Sequence, residues 1–311
     1  MLPHADEVSA TFGLGTVHSA APVPGGLSND LWRVDTETGR YAVKVMRTNA
    51  GAPDFRSHVE AAYAVEQAAF DAGVPCPEPV PVDGRCLATV GPELVRVHRW
   101  VEGRPLSPAD WLEQAGALAA RVHAVAEHVE APLDDRPRGT DGWTDLAGHP
   151  DVPTALAARL HRQAGDLAEL EERTAATGLH VTHAGTHGDL DPKNTLALGT
   201  TLLALDWDAA GPRSIVREAV AVGLDWSTAV AGFARVLTAY AATGASVPAE
   251  PWVFGGWVAA TTGWLAHQVT APVDTPYGAA LGAAEATLAL DRLLRLRASL
   301  PEHLAVLADA R

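Results

Sequence analysis

The residues best equipped for chemistry lie in one short run, His187-Gly188-Asp189-Leu190-Asp191-Pro192-Lys193-Asn194. The run fits H-x-D-x-x-x-x-N, and Asp206-Trp207-Asp208 begins twelve residues after Asn194. An acid, an amide and a second acid at these intervals suit phosphoryl transfer, which is mostly positioning and charge neutralisation. Asp189 would accept or orient the proton of an attacking hydroxyl. Asn194 and Asp206 offer hard oxygen donors, the kind that Mg2+ takes beside water and phosphate. Each of the three alone would read as an ordinary turn or cap residue; their joint spacing favours chemistry.

Further pieces stand upstream in a compatible order. Lys44 sits in the middle of YAVKV, and it and Lys193 are the only lysines in a chain that otherwise uses arginine. A lysine is a compact point charge on a flexible stem, suited to an α/β-phosphate pair. A glutamate on the following helix would hold that lysine by charge pairing; Glu60 is the first choice and Glu66, on the same helix, the alternative. The loop Gly25-Gly26-Leu27-Ser28 exposes backbone N–H groups to which phosphate oxygens can come close. Lys193 is placed either to reach the transferred phosphoryl group or to pair with Asp191, and Asp208 either to add a metal contact or to stay solvated.

The elements that must position these residues can be read from the pattern. Residues 31–35 and 40–46 are β-favouring runs around the turn-like TETG, and residues 55–72 lack Gly and Pro and read as a helix stopped by Gly73. Two short strands are expected at 86–90 and 93–100. Ser107-Pro108-Ala109-Asp110 reads as a helix start, with Trp111, Ala115, Leu118, Val122 and Val125 at helical spacing behind it. Residues 131–151 read as loop and 153–176 as helix. TLAL and TLLALD form a hairpin around Gly199-Thr200. From about 214 to 309 the chain is helical, with breaks near 244–251 and 271–278, and Trp252, Trp257 and Trp264 read as core. A small β-rich lobe, residues 1–100, therefore precedes a larger helical lobe, residues 101–311.

The chain has 311 residues and a formal charge of −15. Such acidity argues against a nucleic-acid partner and for a cationic ligand. Neither lysine follows a glycine, so no Walker A loop exists, and no G-x-G-x-x-G, H-E-x-x-H or G-x-S-x-G pattern occurs. No membrane span and no signal peptide are expected, which points to a cytoplasmic protein; a monomer and a homodimer are both open. Cys76 and Cys86 read as reduced thiols. His180 and His183 would face opposite sides of a strand, which disfavours a zinc site.

HGDLDPKN, LALDWDAAGP, GGLSNDLWRV and GVPCPEPV together resemble the aminoglycoside phosphotransferase family, over most of residues 20–225. The resemblance implies an α+β, bilobal, protein-kinase-like fold: a small antiparallel β N-lobe with one helix and a larger, mostly helical C-lobe. It implies Asp189 as catalytic base, Asn194 and Asp206 as Mg2+ ligands, a Lys44–Glu60 ion pair, and Gly25, Gly26 and Ser28 around the phosphates. Residues 96–103 resemble the family's inter-lobe hinge, where Val97, His98 and Trp100 would hold the adenine of ATP, GTP being the other option. Gly188 in place of the arginine of H-R-D, Trp207 in place of the phenylalanine of D-F-G, and the lack of A-P-E favour a small acceptor over a protein. The expected function is transfer of the γ-phosphate to a hydroxyl of a small, cationic molecule such as an aminoglycoside-type antibiotic, an antibiotic-resistance activity. The alternatives are a metabolic kinase of an amino sugar or amino alcohol, and a nucleotide-binding pseudokinase.

Overall fold

Alternation with period two dominates the first part of the chain, and the computed structural model, which describes residues 4–24, 29–47, 49–270 and 276–309, turns it into an antiparallel sheet. After helix α1 (Ala5–Phe12) come strands β1 (Val17–Val23), β2 (Asn29–Thr36) and β3 (Gly39–Met46). Helix α2 (Phe55–Asp71) follows, then β4 (Ala88–Val90) and β5 (Glu93–Arg99). The strand order is β1-β2-β3-β5-β4. In β3 and β5 the odd-numbered residues Tyr41, Val43, Val45, Val95 and Val97 join Val8, Phe12 and Leu14 in an apolar cluster. The even-numbered residues, Lys44, Arg96 and His98 among them, take the other face. Lys44 pairs directly opposite Arg96.

The chain forms two compact units, each discontinuous in sequence. The first contains residues 1–114, 121–127 and 184–212; the second contains 115–120, 128–183 and 213–311. Helix α3 (Leu112–His123) has residues in both. The sheet and the H-x-D segment thus belong to one unit.

The second unit is mainly helical. Strand β6 (Val129–Asp134) pairs antiparallel with the start of β7 (Thr177–Thr186), and helices α4 (Gly139–Ala147) and α5 (Thr154–Thr174) lie between them in sequence. Residues 131–151, expected as loop, therefore hold the rest of a strand and a helix. The helix forms because Trp143, fully buried, donates from Nε1 to the buried Glu171 of α5 at 3.0 Å, an anchor that outweighs a Gly- and Asp-rich composition. In β7 the rings of His180 and His183 turn back to the carbonyls of Gly178 and Val181. Two further expectations are corrected. Ser107 makes no side-chain cap, and Pro108–Asp110 is a separate 3-10 turn ahead of α3. Of the three tryptophans read as core, Trp257 is buried but Trp264 is 43% exposed.

Helices α6 (Ile215–Trp226), α7 (Val230–Ala241), α8 (Gly255–Thr270) and α9 (Pro276–Asp309) complete this unit around Phe233, Phe254, Leu265 and Leu290. No helix among the described residues is long and apolar enough to cross a membrane. Cys76 and Cys86 are both free thiols, and burial pushes each up to about 12.

Candidate active site

Backbone geometry places the candidate residues before any side chain acts. Strands β8 (Thr195–Leu198) and β9 (Thr201–Ala204) pair from Thr195↔Ala204 to Leu198↔Thr201 around Gly199-Thr200. Gly199 has φ +60° and Thr200 is not in the positive-φ region, as a type II′ turn requires. The register sets Asn194 and Asp206 at the two open ends of one hairpin, and the Leu205 N–H donates to the Asn194 carbonyl at 2.8 Å. The hairpin is fixed on both sides: Arg104 and Ala197 exchange backbone hydrogen bonds at 2.9 and 3.0 Å, and the Ala204 N–H reaches the Pro75 carbonyl at 2.8 Å.

The segment 187–194 is locked by its own polar groups. His187 is fully buried; its Nε2–H donates to the Leu205 carbonyl at 2.9 Å and its ring lies 4.6 Å from that of Trp207. Asp191 caps the 3-10 turn Pro192–Asn194 by accepting from the backbone N–H groups of Lys193 and Asn194 at 2.9 and 3.2 Å. Asn194 donates from Nδ2 to the Asp189 carbonyl at 2.9 Å and to Asp189 Oδ2 at 2.8 Å. Both donor hydrogens of the amide are thus spent on Asp189, which leaves the amide oxygen as the atom that could meet a cation. Lys193 Nζ lies 2.5 Å from Asp191 and 3.2 Å from Asp189, so it pairs with both acids. Burial pushes the Asp191 carboxyl up despite that pairing, and the two acids more than offset the burial that would pull the Lys193 ammonium down.

Gly188 is demanded by contact as well as by conformation. Its φ is +83°, and a Cβ there would lie 2.1 Å from the Ala209 carbonyl oxygen. The arginine of H-R-D could not let the 207–209 turn approach in this way. Asp206, entering that turn, is itself left-handed at φ 61°, a conformation rare outside glycine and tolerated best by Asn and Asp.

Lys44 reaches this turn from the sheet. Its Nζ lies 2.5 Å from Asp206 Oδ1 and 2.5 Å from Asp208 Oδ2. Burial alone would pull its ammonium down; Asp208 and Asp206 outweigh burial and hold it above its ordinary range. The expected Lys44–Glu60 ion pair is not formed. Glu60 accepts instead from the backbone N–H groups of Cys86 and Leu87, both at 3.2 Å. Glu66 is buried on α2 with Arg96 and His98. Asp208 is neither solvated nor free, since it also accepts from Arg96 Nη1 at 2.7 Å. Burial would raise its carboxyl, and Lys44 and Arg96 hold it below the usual range.

The residues expected at a hinge are engaged with the sheet and its neighbours. The Val97 carbonyl accepts from Val80 N–H at 2.9 Å, Trp100 N–H donates to the Arg40 carbonyl at 2.9 Å, and His98 Nε2 meets Glu66 at 3.0 Å. Gly25, Gly26 and Ser28 lie outside the described residues.

Asn194 and Asp206 suit Mg2+ by donor chemistry, one offering an amide oxygen and the other a carboxylate, whereas both oxygens of Asp208 are taken by Lys44 and Arg96. No group of three or more His, Cys, Asp or Glu side chains converges for a metal among the described residues.

Comparison with known proteins decides the family. Residues 19–252 match the family model described as the phosphotransferase enzyme family. This chain belongs to that family. Its members are kinases of small molecules, and phosphoryl transfer to a hydroxyl is the class of reaction. Among solved structures it is similar to a spectinomycin phosphotransferase in complex with ADP and spectinomycin, with TM-score 0.67, 11% identity, and coverage of 96% of this chain and 100% of that one. It is similar also to the choline kinase LicA of Streptococcus pneumoniae, with TM-score 0.63, 18% identity, and coverage of 93% and 96%. A choline/ethanolamine kinase family protein of Mesorhizobium loti gives 0.59, 19%, and 98% and 99%. These likenesses are ones of fold: an antiparallel sheet with helices, as in protein kinases. No curated protein matches the sequence.

Arg96 escaped the sequence reading, and Glu66 stood there only second to Glu60. Arg96 is a charged residue between valines in a central strand. Glu66 falls in register with the buried Val59, Ala62 and Ala69 of α2. A charge on an apolar face was the available signal in both cases.

Proposed function

We propose that the chain is an ATP-dependent O-phosphotransferase that moves the γ-phosphate to a hydroxyl of a small, cationic acceptor, an aminoglycoside-type antibiotic being the leading class. The observation that carries this is the meeting of Lys44 with Asp206, which follows Leu205, the hairpin partner of Asn194, since it joins a phosphate-binding cation to the residues proposed for the metal. Asp189 accepts the hydroxyl proton of the acceptor, and Asn194 fixes its carboxylate by donating to Oδ2. Asn194 and Asp206 would hold Mg2+, which supplies charge neutralisation across the phosphates when bound. Lys44 binds the α/β-phosphates, and Lys193, between Asp189 and Asp191, faces the transferred group. With Val97, His98 and Trp100 engaged in the sheet, adenine would be read by backbone beyond Trp100.

A cationic acceptor is supported by the −15 formal charge. Nucleotide use is supported by neighbours in complex with ADP and, for an amicoumacin kinase, AMP-PNP and Ca2+. A metabolic kinase of an amino alcohol is the second reading, favoured by the similarity to choline kinases. Incubation with ATP or GTP and a panel of aminoglycosides, peptide antibiotics, sugars and amino alcohols, read by the mass shift of one phosphoryl group, tests both. Nucleotide binding with no phosphorylated product from any acceptor class would favour a pseudokinase instead.

A further inference from the structure

Lys44 and Arg96 stand directly opposite each other on β3 and β5. Two like charges in that relation repel. Asp208 lies between them, with Oδ2 at 2.5 Å from Lys44 Nζ and Oδ1 at 2.7 Å from Arg96 Nη1. The other Nη of Arg96 holds Glu66 of α2, whose second carboxylate oxygen meets His98 at 3.0 Å. Charges thus alternate along Lys44, Asp208, Arg96 and Glu66. The Arg96 and Glu66 side chains are each only 2% exposed, so neither can touch a bound nucleotide. The Arg96 Nε–H meets no acceptor, which marks a guanidinium placed for its two Nη contacts alone.

We propose that Asp208, held by Arg96 and Glu66, is the positioning residue for Lys44. Helix α2 then controls the phosphate-binding lysine through an arginine–aspartate bridge that its glutamates do not make directly. The proposal rests on the phosphate role given to Lys44 above. Asp206, the other partner of Lys44, is 47% exposed and is the acid assigned to the metal, so its carboxylate has a second claim on it. Asp208 is tied from behind and keeps its oxygen on Lys44. Arginine is required at 96 because a planar fork spans two carboxylates, whereas an ammonium is a point charge on a flexible stem.

The test is a double-mutant cycle with Arg96→Lys and Lys44→Met. Binding of Mg·AMP-PNP and of adenosine is measured by calorimetry, and folding is checked by circular dichroism. Lys44→Met should weaken Mg·AMP-PNP binding about tenfold or more, the scale of one charge-assisted contact, and Arg96→Lys about five- to tenfold, the scale of an ordinary hydrogen bond. Adenosine, which lacks phosphates, should bind both variants as it binds wild type. In the Lys44→Met background, Arg96→Lys should add less than about twofold, because it acts through a lysine no longer present. An equal loss in both backgrounds, or a matching loss for adenosine, would mean that Arg96 only packs the sheet. Wild-type Mg·AMP-PNP affinity in Arg96→Lys beside a loss in Lys44→Met would overturn the bridge alone. Wild-type affinity in Lys44→Met would overturn the phosphate role and the bridge with it. Should Arg96→Lys not fold, Glu66→Gln, of the same shape and without the charge, replaces it in the same cycle with the same outcomes.

Discussion

Replacing Gly188 by alanine should damage both the fold and the nucleotide site, and the structure separates the reasons. Gly188 has φ +83°, which costs an L-residue about 1–2 kcal/mol. The added Cβ would also lie 2.1 Å from the Ala209 carbonyl oxygen and 2.8 Å from the Ala209 carbonyl carbon. These are backbone atoms with no rotamer to yield, so the turn 207–209 must move, and overpacking of this kind costs about 1–3 kcal/mol more. The combined expectation is a loss of about 2–5 kcal/mol. Gly199 supplies an internal control. It too has positive φ, +60°, but a Cβ there meets nothing within 4 Å. Gly199→Ala should therefore show the conformational cost alone, about 1–2 kcal/mol. Urea denaturation of the two variants gives the difference, and calorimetric titration with Mg·ATP shows whether the displaced turn carries Asp206 and Asp208 out of place. Gly188→Ala should bind Mg·ATP at least about tenfold more weakly, one bond's worth of lost geometry, and Gly199→Ala as wild type. Equal stabilities for the two variants, or normal Mg·ATP affinity in Gly188→Ala, would refute the close-approach reasoning.

Asp189→Ala should retain nucleotide affinity while transfer to the acceptor identified by the mass-shift screen falls by about 10²–10⁴, the range of general-base catalysis; wild-type turnover would remove the base assignment. Asp206→Asn preserves a residue type that accepts the left-handed backbone, so its melting temperature should stay near wild type while the Mg2+ dependence of ATP binding is lost; an unchanged Mg2+ titration would deny it a metal role. In the helical unit, Asp135 accepts from both Nη atoms of Arg217 at 2.8 and 2.6 Å and from the Ala176 N–H at 2.7 Å. Burial would raise its carboxyl, and Arg217 with the Ala176 N–H holds it below the usual value of 3.8. A depressed carboxyl stabilises the fold above its unfolded pKa, and that contribution fades as pH falls through the folded value. Asp135→Asn should therefore cost about 1.5–3 kcal/mol near neutrality, with the gap to wild type closing in acid; a gap constant with pH would show that charge is not its cause.

Much of this was legible in local sequence. The strands at 31–35 and 40–46, the helix ended by Gly73 and the Gly199-Thr200 hairpin follow from period, breakers and turn chemistry, all of which act over a few residues. The spacing of Asp189, Asn194 and Asp206 was legible for the same reason, since one hairpin sets it. Helix α4 was not, because it depends on Trp143 finding Glu171, a partner remote in sequence. The partner of Lys44 was not legible either. Glu60 has the expected type and helix, but a turn and a half along α2 its carboxylate meets the Cys86 and Leu87 amides, while Glu66 falls on the buried face. Only the pairing of β3 with β5 reveals that an arginine stands opposite the lysine.

The discontinuity of the first unit has a consequence for biosynthesis. The sheet is complete once residue 99 has been made, but its polar face then holds Lys44 and Arg96 without Asp208, which is translated more than a hundred residues later. The intervening segment 128–183 belongs to the other unit. The contacts that join the hairpin to the sheet are therefore of long sequence separation, a slow class to form, and in the nascent sheet Arg96 has Glu66 while Lys44 must wait for Asp206 and Asp208. The proposed nucleotide site would thus be completed late in synthesis, when residues 184–212 return to the sheet begun at its start.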